Sequence, residues 1–110
     1  RVIVMYQPHT PFSVINTGDE VAEVLPKVMS DDDIILMQEI YEKTPADAVS
    51  ANDIISKIRE HGHNNAHFMS QRDEVRRFIL DNVRAGDRVV IMGAHDNSLP
   101  DFSRELLKAV

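Results

Sequence analysis

Three stretches of the sequence gather side chains able to do chemistry. The first is Tyr6–Gln7–Pro8–His9–Thr10–Pro11–Phe12–Ser13. His9 can donate or accept a hydrogen bond near neutral pH, and Thr10 and Ser13 add hydroxyls, a set suited to a phosphate or a carboxylate. The same residues also read as a stiff turn, with His9 an exposed loop residue and Ser13 the N-cap of the next helix. The second stretch is Gly93–Ala94–His95–Asp96–Asn97–Ser98. Gly93 permits close backbone approach to a ligand, and a helix start beyond it supplies free N–H groups. Asp96 could accept from a ribose hydroxyl or a cationic group; equally, Asp96 and Asn97 could be ordinary turn residues. The third stretch, Glu39–Val49, is long for a connection in a compact domain. Its carboxylates could meet an ammonium group or a metal-linked water, against a background reading of solvated surface charge.

Two further clusters attract attention less. His61, His63 and His67 have a spacing open to a transition metal, but they follow a helix and lie away from the strand ends. Asp31–Asp32–Asp33 precedes a strand, where adjacent acids are expected to be solvated. The sequence holds neither GxGxxG nor a Walker-type glycine–lysine loop, and no nucleophile–base pair with a local signature. The reading is therefore no catalytic residue and no metal ligand within this chain.

The elements that position these stretches follow from periodicity. Apolar runs occur at Val2–Met5, Ile34–Met37, Ala66–Met69 and Val89–Met92. The first, second and fourth are continuous, as in parallel strands buried on both faces. Helical stripes follow each: Val21, Val24, Leu25 and Val28 in Val14–Val28; Ile54, Ile55 and Ile58 in Ala51–Glu60; Val75, Phe78, Ile79 and Val83 in Gln71–Arg84; Leu99, Phe102, Leu106 and Val110 in Leu99–Val110. Gly18 weakens the first helix and suggests a start near Asp19. Ser50-x-x-Asp53, Ser70-x-x-Asp73 and Ser98-x-x-Asp101 resemble capping boxes at the other three helix starts. The order β-α-β-α-β-α-β-α predicts one α/β domain over residues 1–110: a three-layer, Rossmann-like fold with a mainly parallel sheet and helices on both faces. Ligands of such sheets bind at the carboxyl ends of the strands, which selects Gln7–Ser13, Glu39–Val49 and Gly93–Ser98.

The 110 residues carry a formal net charge of −6, which argues against a nucleic-acid backbone as partner. No apolar run reaches the ~20 residues that span a bilayer, so no membrane partner is expected. There is no cysteine, which excludes disulfides and, with no visible signal peptide, points to the cytoplasm.

The stretches VIVMYQPHTPFS, IILMQEIYEKTPADAVSANDIISKI and GDRVVIMGAHDNSLPDFSRELLKAV resemble the C-terminal domain of the Mur ligase family, closest to its UDP-N-acetylmuramate–L-alanine ligase branch. Gln7–Pro8–His9, Glu39–Ile40–Tyr41 and Gly93–Ala94–His95–Asp96 match three motifs in order, each at a strand end. The resemblance implies an amino-acid-binding domain of an ATP-dependent ligase of peptidoglycan synthesis or recycling, in which an acyl phosphate is attacked by an amine. It implies His9, Thr10, Ser13, Tyr41 and Asp96 as substrate- or nucleotide-binding residues. It also implies ATP and Mg2+ bound mainly by a central ATPase domain, an N-terminal UDP-binding domain in the same chain, and a UDP-muramoyl substrate with an amino acid or peptide. Thr10 and Ser13 stand where that branch usually has arginines, with no arginine nearby, and His95 stands where glycine is usual. The sequence opens directly on a strand, so a fragment of a longer enzyme, inactive in isolation, is expected. The alternatives are a freestanding, non-catalytic α/β module for a small anion or nucleotide, and a receiver-like domain, for which the strand ends offer His9 and Asp96 in place of the usual acidic acceptor.

Overall fold

The apolar runs form the strands of one sheet that has a helix-covered core on each face. The computed structural model describes all residues, Arg1–Val110. Its elements are β1 (Val2–Gln7), α1 (Pro11–Val28), β2 (Ile34–Gln38), α2 (Ala51–Glu60), β3 (Ala66–Met69), α3 (Arg72–Asn82), β4 (Arg88–Gly93) and α4 (Ser98–Ala109). All strand pairings are parallel, in the order β3-β2-β1-β4. Ile3 stands beside Ile34 and Val89, and Gln7 beside Gly93.

Strand alternation sends successive side chains to opposite faces. Ile35 and Met37 of β2 join Val14 and Ala22 of α1 and Ile54, Ile55 and Ile58 of α2. Ile34 and Leu36 join Ile3 and Met5 of β1, Val75 and Ile79 of α3, and Leu99, Phe102 and Leu106 of α4. The result is the expected three-layer α/β architecture. Each fully buried Ile, Leu or Phe contributes about 1.5–3 kcal/mol relative to an exposed one.

Four details differ from the sequence expectations. First, β4 is an edge strand, so Val90 and Met92 remain 43% and 38% exposed; a continuous apolar run cannot tell a central strand from an edge. Second, α1 begins at Pro11, not near Asp19. Thr10 is its N-cap, accepting from the Ser13 N–H at 3.1 Å, and Pro11 sits in the first turn, where a missing N–H costs nothing. Third, the buried residues of α1 are Val14, Gly18 and Ala22, while Val24 and Val28 are exposed. Gly18 is the point of close approach to α2: a Cβ there would lie 3.2 Å from Ile54 Cγ1. Fourth, only the Ser50–Asp53 capping box forms. The α3 N-cap is Gln71 and the α4 N-cap is Asn97, neither with a side-chain cap. Ser70 Oγ instead donates to Glu74, and Ser98 is bound to Asp96.

At the amino edge, Asp31 and Asp32 are exposed as expected, but Asp33 is buried. Its carboxylate accepts from the N–H groups of Val2 and Ser30, both at 2.8 Å. These bonds, the one from Val2 foremost, hold its pKa below the usual aspartate value. His63 is buried there too and donates from Nε2 to the Asp33 carbonyl at 2.9 Å. His67 pairs with Asn65, and His61, His63 and His67 form no metal-ligating group. No helix is long and apolar enough to cross a membrane.

Candidate functional site

At the carboxyl edge the loops after all four strands meet around a cleft of about 480 Å³. Gln7 of β1, Gln38 of β2, Glu39–Tyr41, Lys43–Pro45, Ser70, Arg72 and Asp96 line it. The chain reverses direction across the sheet here. From β1 and β2 it moves through α1 and α2 toward β3, then crosses back to β4 on the other side of β1. A crevice at such a switch point is where open α/β sheets hold ligands.

Backbone bonds lock the loops together. The N–H groups of Tyr41 and Glu42 donate to the carbonyls of Pro8 and His9 at 2.9 and 3.0 Å, tying the loop after β2 to that after β1. The Ala94 N–H donates to the Gln7 carbonyl at 2.8 Å, tying in the loop after β4. Gly93 makes this approach possible. Its φ is +122°, and a Cβ on it would stand 2.1 Å from the Gln7 carbonyl oxygen.

The five residues singled out in the sequence divide into two groups. Tyr41 and Asp96 line the cleft; His9, Thr10 and Ser13 stand beside it, at the start of α1. His9 is boxed by aromatic rings, 5.7 Å from Tyr41 and 5.3 Å from His95 between centroids. Its Nδ1 accepts from the His95 N–H at 3.2 Å, and its Nε2 lies 3.5 Å from Glu42 Oε1. Thr10 and Ser13 bond to each other and cap α1, with the hydroxyls 3.1 Å apart. The capping role expected for Ser13 thus belongs to Thr10. Asp96 accepts from the Ser98 N–H and hydroxyl at 2.9 and 2.6 Å through Oδ1, and from Arg72 at 2.9 Å through Oδ2. The Ser98 hydroxyl bond, then the Ser98 N–H and Arg72, hold its pKa below the usual aspartate value.

Arg72 is the residue that the sequence reading missed: no arginine is near Thr10 and Ser13 in the sequence, but the fold brings this one to the same edge. Its Nε donates to Gln38 Oε1 at 2.6 Å and its Nη1 to Ser98 Oγ at 3.1 Å. Its Nη2 donates to Gln7 Oε1 at 3.2 Å and to Asp96 Oδ2 at 2.9 Å. The guanidinium carbon lies 5.2 Å from the Phe102 ring centroid, within cation–π range. One side chain therefore joins the ends of β1 and β2, the start of α3 and the loop before α4. Its signal in the sequence is its position, directly after the Ser70–Gln71 turn at the carboxyl end of β3. Glu39 is likewise occupied: it accepts from the Ile40 and Ala51 N–H groups at 2.9 and 3.0 Å and from Ser50 Oγ at 2.8 Å. It sits at the positive end of α2, where a carboxylate is favoured.

No family model matches the chain. Individual relatives do. A UDP-N-acetylmuramate–L-alanine ligase of Sorangium cellulosum is 31% identical over 98 residues, covering 87% of this chain and 20% of the relative. Enzymes of the same name from Ruegeria sp. and Rickettsia prowazekii are each 28% identical, over 94% and 96% of this chain and 23% and 21% of their own lengths. The chain spans about a fifth of the length of the relatives it matches. The aligned region takes in most of this chain. Over most of its length the chain is thus a homologue of one domain of UDP-N-acetylmuramate–L-alanine ligases, consistent with a C-terminal Mur ligase domain.

Proposed function

We propose that this chain is the amino-acid-binding, C-terminal domain of an ATP-dependent ligase that joins an amino acid or peptide to a UDP-muramoyl substrate in peptidoglycan synthesis or recycling. The observation that carries the reading is coverage: the similarity to alanine-adding ligases runs over 87–96% of the chain, and includes the loops that build the cleft. In the proposed enzyme an acyl phosphate formed from ATP is attacked by the amine of the incoming amino acid. This domain closes on a central ATPase domain, and its strand-end loops orient the nucleophile and exclude water. His9, Thr10, Ser13, Tyr41 and Asp96 would act at or beside that closure. The cytoplasm is the compartment in which ATP would be supplied.

The residues of this chain do not fit Mg2+ or the ATP phosphates as a resident site. No group of three His, Asp or Glu side chains is placed to hold a metal, and no glycine–lysine loop is present. Those functions are assigned to the central domain, and a further N-terminal domain would hold the UDP group. The two carboxylates of the cleft, Glu39 and Asp96, are fixed by protein donors, so this chain supplies binding and orientation rather than acid–base chemistry. Isolated, it should not ligate.

The test is ADP release by the complete polypeptide that carries Arg1–Val110, with UDP-N-acetylmuramate and a panel of amino acids and short peptides. Release that depends on both substrates supports the reading. A folded polypeptide that releases no ADP with any of them, yet binds a nucleotide or anion through this chain alone, supports the freestanding module instead.

A further inference from the structure

The two edges of the sheet are finished differently. β3, at one edge, is four residues long, and its Ala66 carbonyl accepts from Arg59 Nε at 2.8 Å. A short edge capped by a charged side chain resists pairing with another strand. β4, at the other edge, is six residues long. The N–H groups of Arg88 and Ala94 donate inward, to the carbonyls of Arg1 and Gln7 of the β1 segment. Successive residues of a strand turn their backbone groups to opposite sides, so those of Val89, Ile91 and Gly93 face outward. No other segment of the chain bonds to them.

Both faces beside this open edge are apolar. Met92, with Tyr6, Val21, Val24 and Leu25, lines a groove of about 320 Å³ on the α1 side, and Val90 of the same face is exposed. On the other face Val89 and Ile91 line a groove of about 260 Å³, flanked by the exposed Leu107 and Val110. Two exposed charges mark the ends of the α1 side. Arg88 opens β4, and Glu20 of α1 stands beside Met92. Neither has an ion-pair partner. Arg88 and Met92 are about 13 Å apart along the strand, at ~3.3 Å per residue.

We propose that two copies of the chain join through β4, antiparallel about a two-fold axis at Ile91. This register sets Ile91 against Ile91 of the second copy and Val89 against its Gly93, so that all the outward backbone groups are paired. Val90 then meets Met92 of the second copy. The antiparallel direction brings Arg88 of each copy to the Met92 end of the other, where Glu20 stands. The surface is thus complementary to itself in backbone, apolar side chains and charge, as a two-fold interface requires. The carboxyl edges of the two sheets point to opposite ends of the pair, so neither cleft is covered.

The test is sedimentation, over a wide concentration range, of Arg1–Val110 and of the complete polypeptide that carries it, with hydrogen exchange of the β4 amides. Expected is a reversible dimer in which the Val89, Ile91 and Gly93 N–H groups gain protection as it forms. Val90→Lys, at an exposed position, should abolish the dimer with the circular dichroism of the monomer unchanged. Arg88→Glu and Glu20→Lys should each weaken it about fivefold or more, and the double variant should return to within about twofold of wild type. A monomer at every concentration, for either polypeptide, overturns the proposal, as does a dimer indifferent to these substitutions. If the complete polypeptide is a monomer with the same three amides protected, a strand of that polypeptide fills the edge instead. No substrate enters the measurement, so its outcome and that of the ligase reading are separate.

Discussion

Replacing Gly93 by alanine tests whether the close approach of β4 to β1 builds the cleft. Gly93 has φ +122°, a region in which a side chain costs about 1–2 kcal/mol. The added Cβ would also stand 2.1 Å from the Gln7 carbonyl oxygen and 2.9 Å from the Gln7 nitrogen and carbonyl carbon, all backbone. Relief requires moving one strand end by about 1 Å, which disrupts the Ala94 N–H bond to that carbonyl, worth about 1 kcal/mol, and the packing beside it. The total is about 3–4 kcal/mol, a large share of the ~5–15 kcal/mol that stabilises a domain. Gly62 and Gly86 are internal controls: their φ values are +99° and +90°, but a Cβ on either meets nothing within 4 Å. Gly62→Ala and Gly86→Ala should therefore cost only the conformational part, about 1–2 kcal/mol. Urea unfolding followed by circular dichroism measures all three, provided the slope with denaturant is unchanged. Equal midpoints for Gly93→Ala and the two controls would refute the close-approach argument.

Other outcomes follow from the packing and the charges. Asp33→Ala should cost about 2 kcal/mol by removing the acceptor for Val2 and Ser30. Because the folded pKa of Asp33 is lowered, its stabilisation is present above the unfolded value near ~3.9 and lost as pH falls below it. The difference between wild type and variant in urea midpoint should therefore close from pH 5 toward pH 2. Asp87, drawn down to about 2 chiefly by its bond to the Arg1 side chain, should add to acid sensitivity in the same window. Gly18→Val should destabilise by about 1–3 kcal/mol in thermal unfolding, since Ile54 already sits 3.2 Å from the position of a Cβ. His9→Ala should lower stability by about 1 kcal/mol, through loss of the His95 N–H bond and the ring contacts, and lower amide formation by the complete polypeptide about tenfold.

The fold was legible because its signals are local. Ile34–Met37 reads as a doubly covered strand, and Ser50-x-x-Asp53 as a helix start, without knowledge of any neighbour. What escaped depends on partners distant in sequence. Val89–Met92 looks as buried as β2, but its exposure is set by strand order. Val24 and Val28 make a helical stripe, but the small residues Gly18 and Ala22 let α2 come closer, so they decide which face is buried. At the site, His9 and Asp96 stood out because their types and loops are conspicuous. Arg72 opens α3 directly after a short, plain turn, and its importance comes from Gln7 and Asp96, 65 and 24 residues away. The same distances explain Asp96: on its own it reads as a ligand contact, whereas its structural partners make it the group that orients Arg72.

In the proposed function, ligation depends on the carboxyl-edge cleft of this chain. It is tested most directly by comparing amide formation by the complete polypeptide with one residue changed in the cleft and one at the opposite edge. Tyr41→Ala removes a half-exposed ring from the cleft wall and from the face of His9, whereas Asn64→Ala alters a residue in the turn at the amino edge. Product formation should fall at least tenfold in Tyr41→Ala, with the melting temperature lowered by no more than the few degrees that its ring contact with His9 is worth, and stay at the wild-type rate in Asn64→Ala. Equal rates in the two variants, or a loss in Asn64→Ala alone, would contradict it.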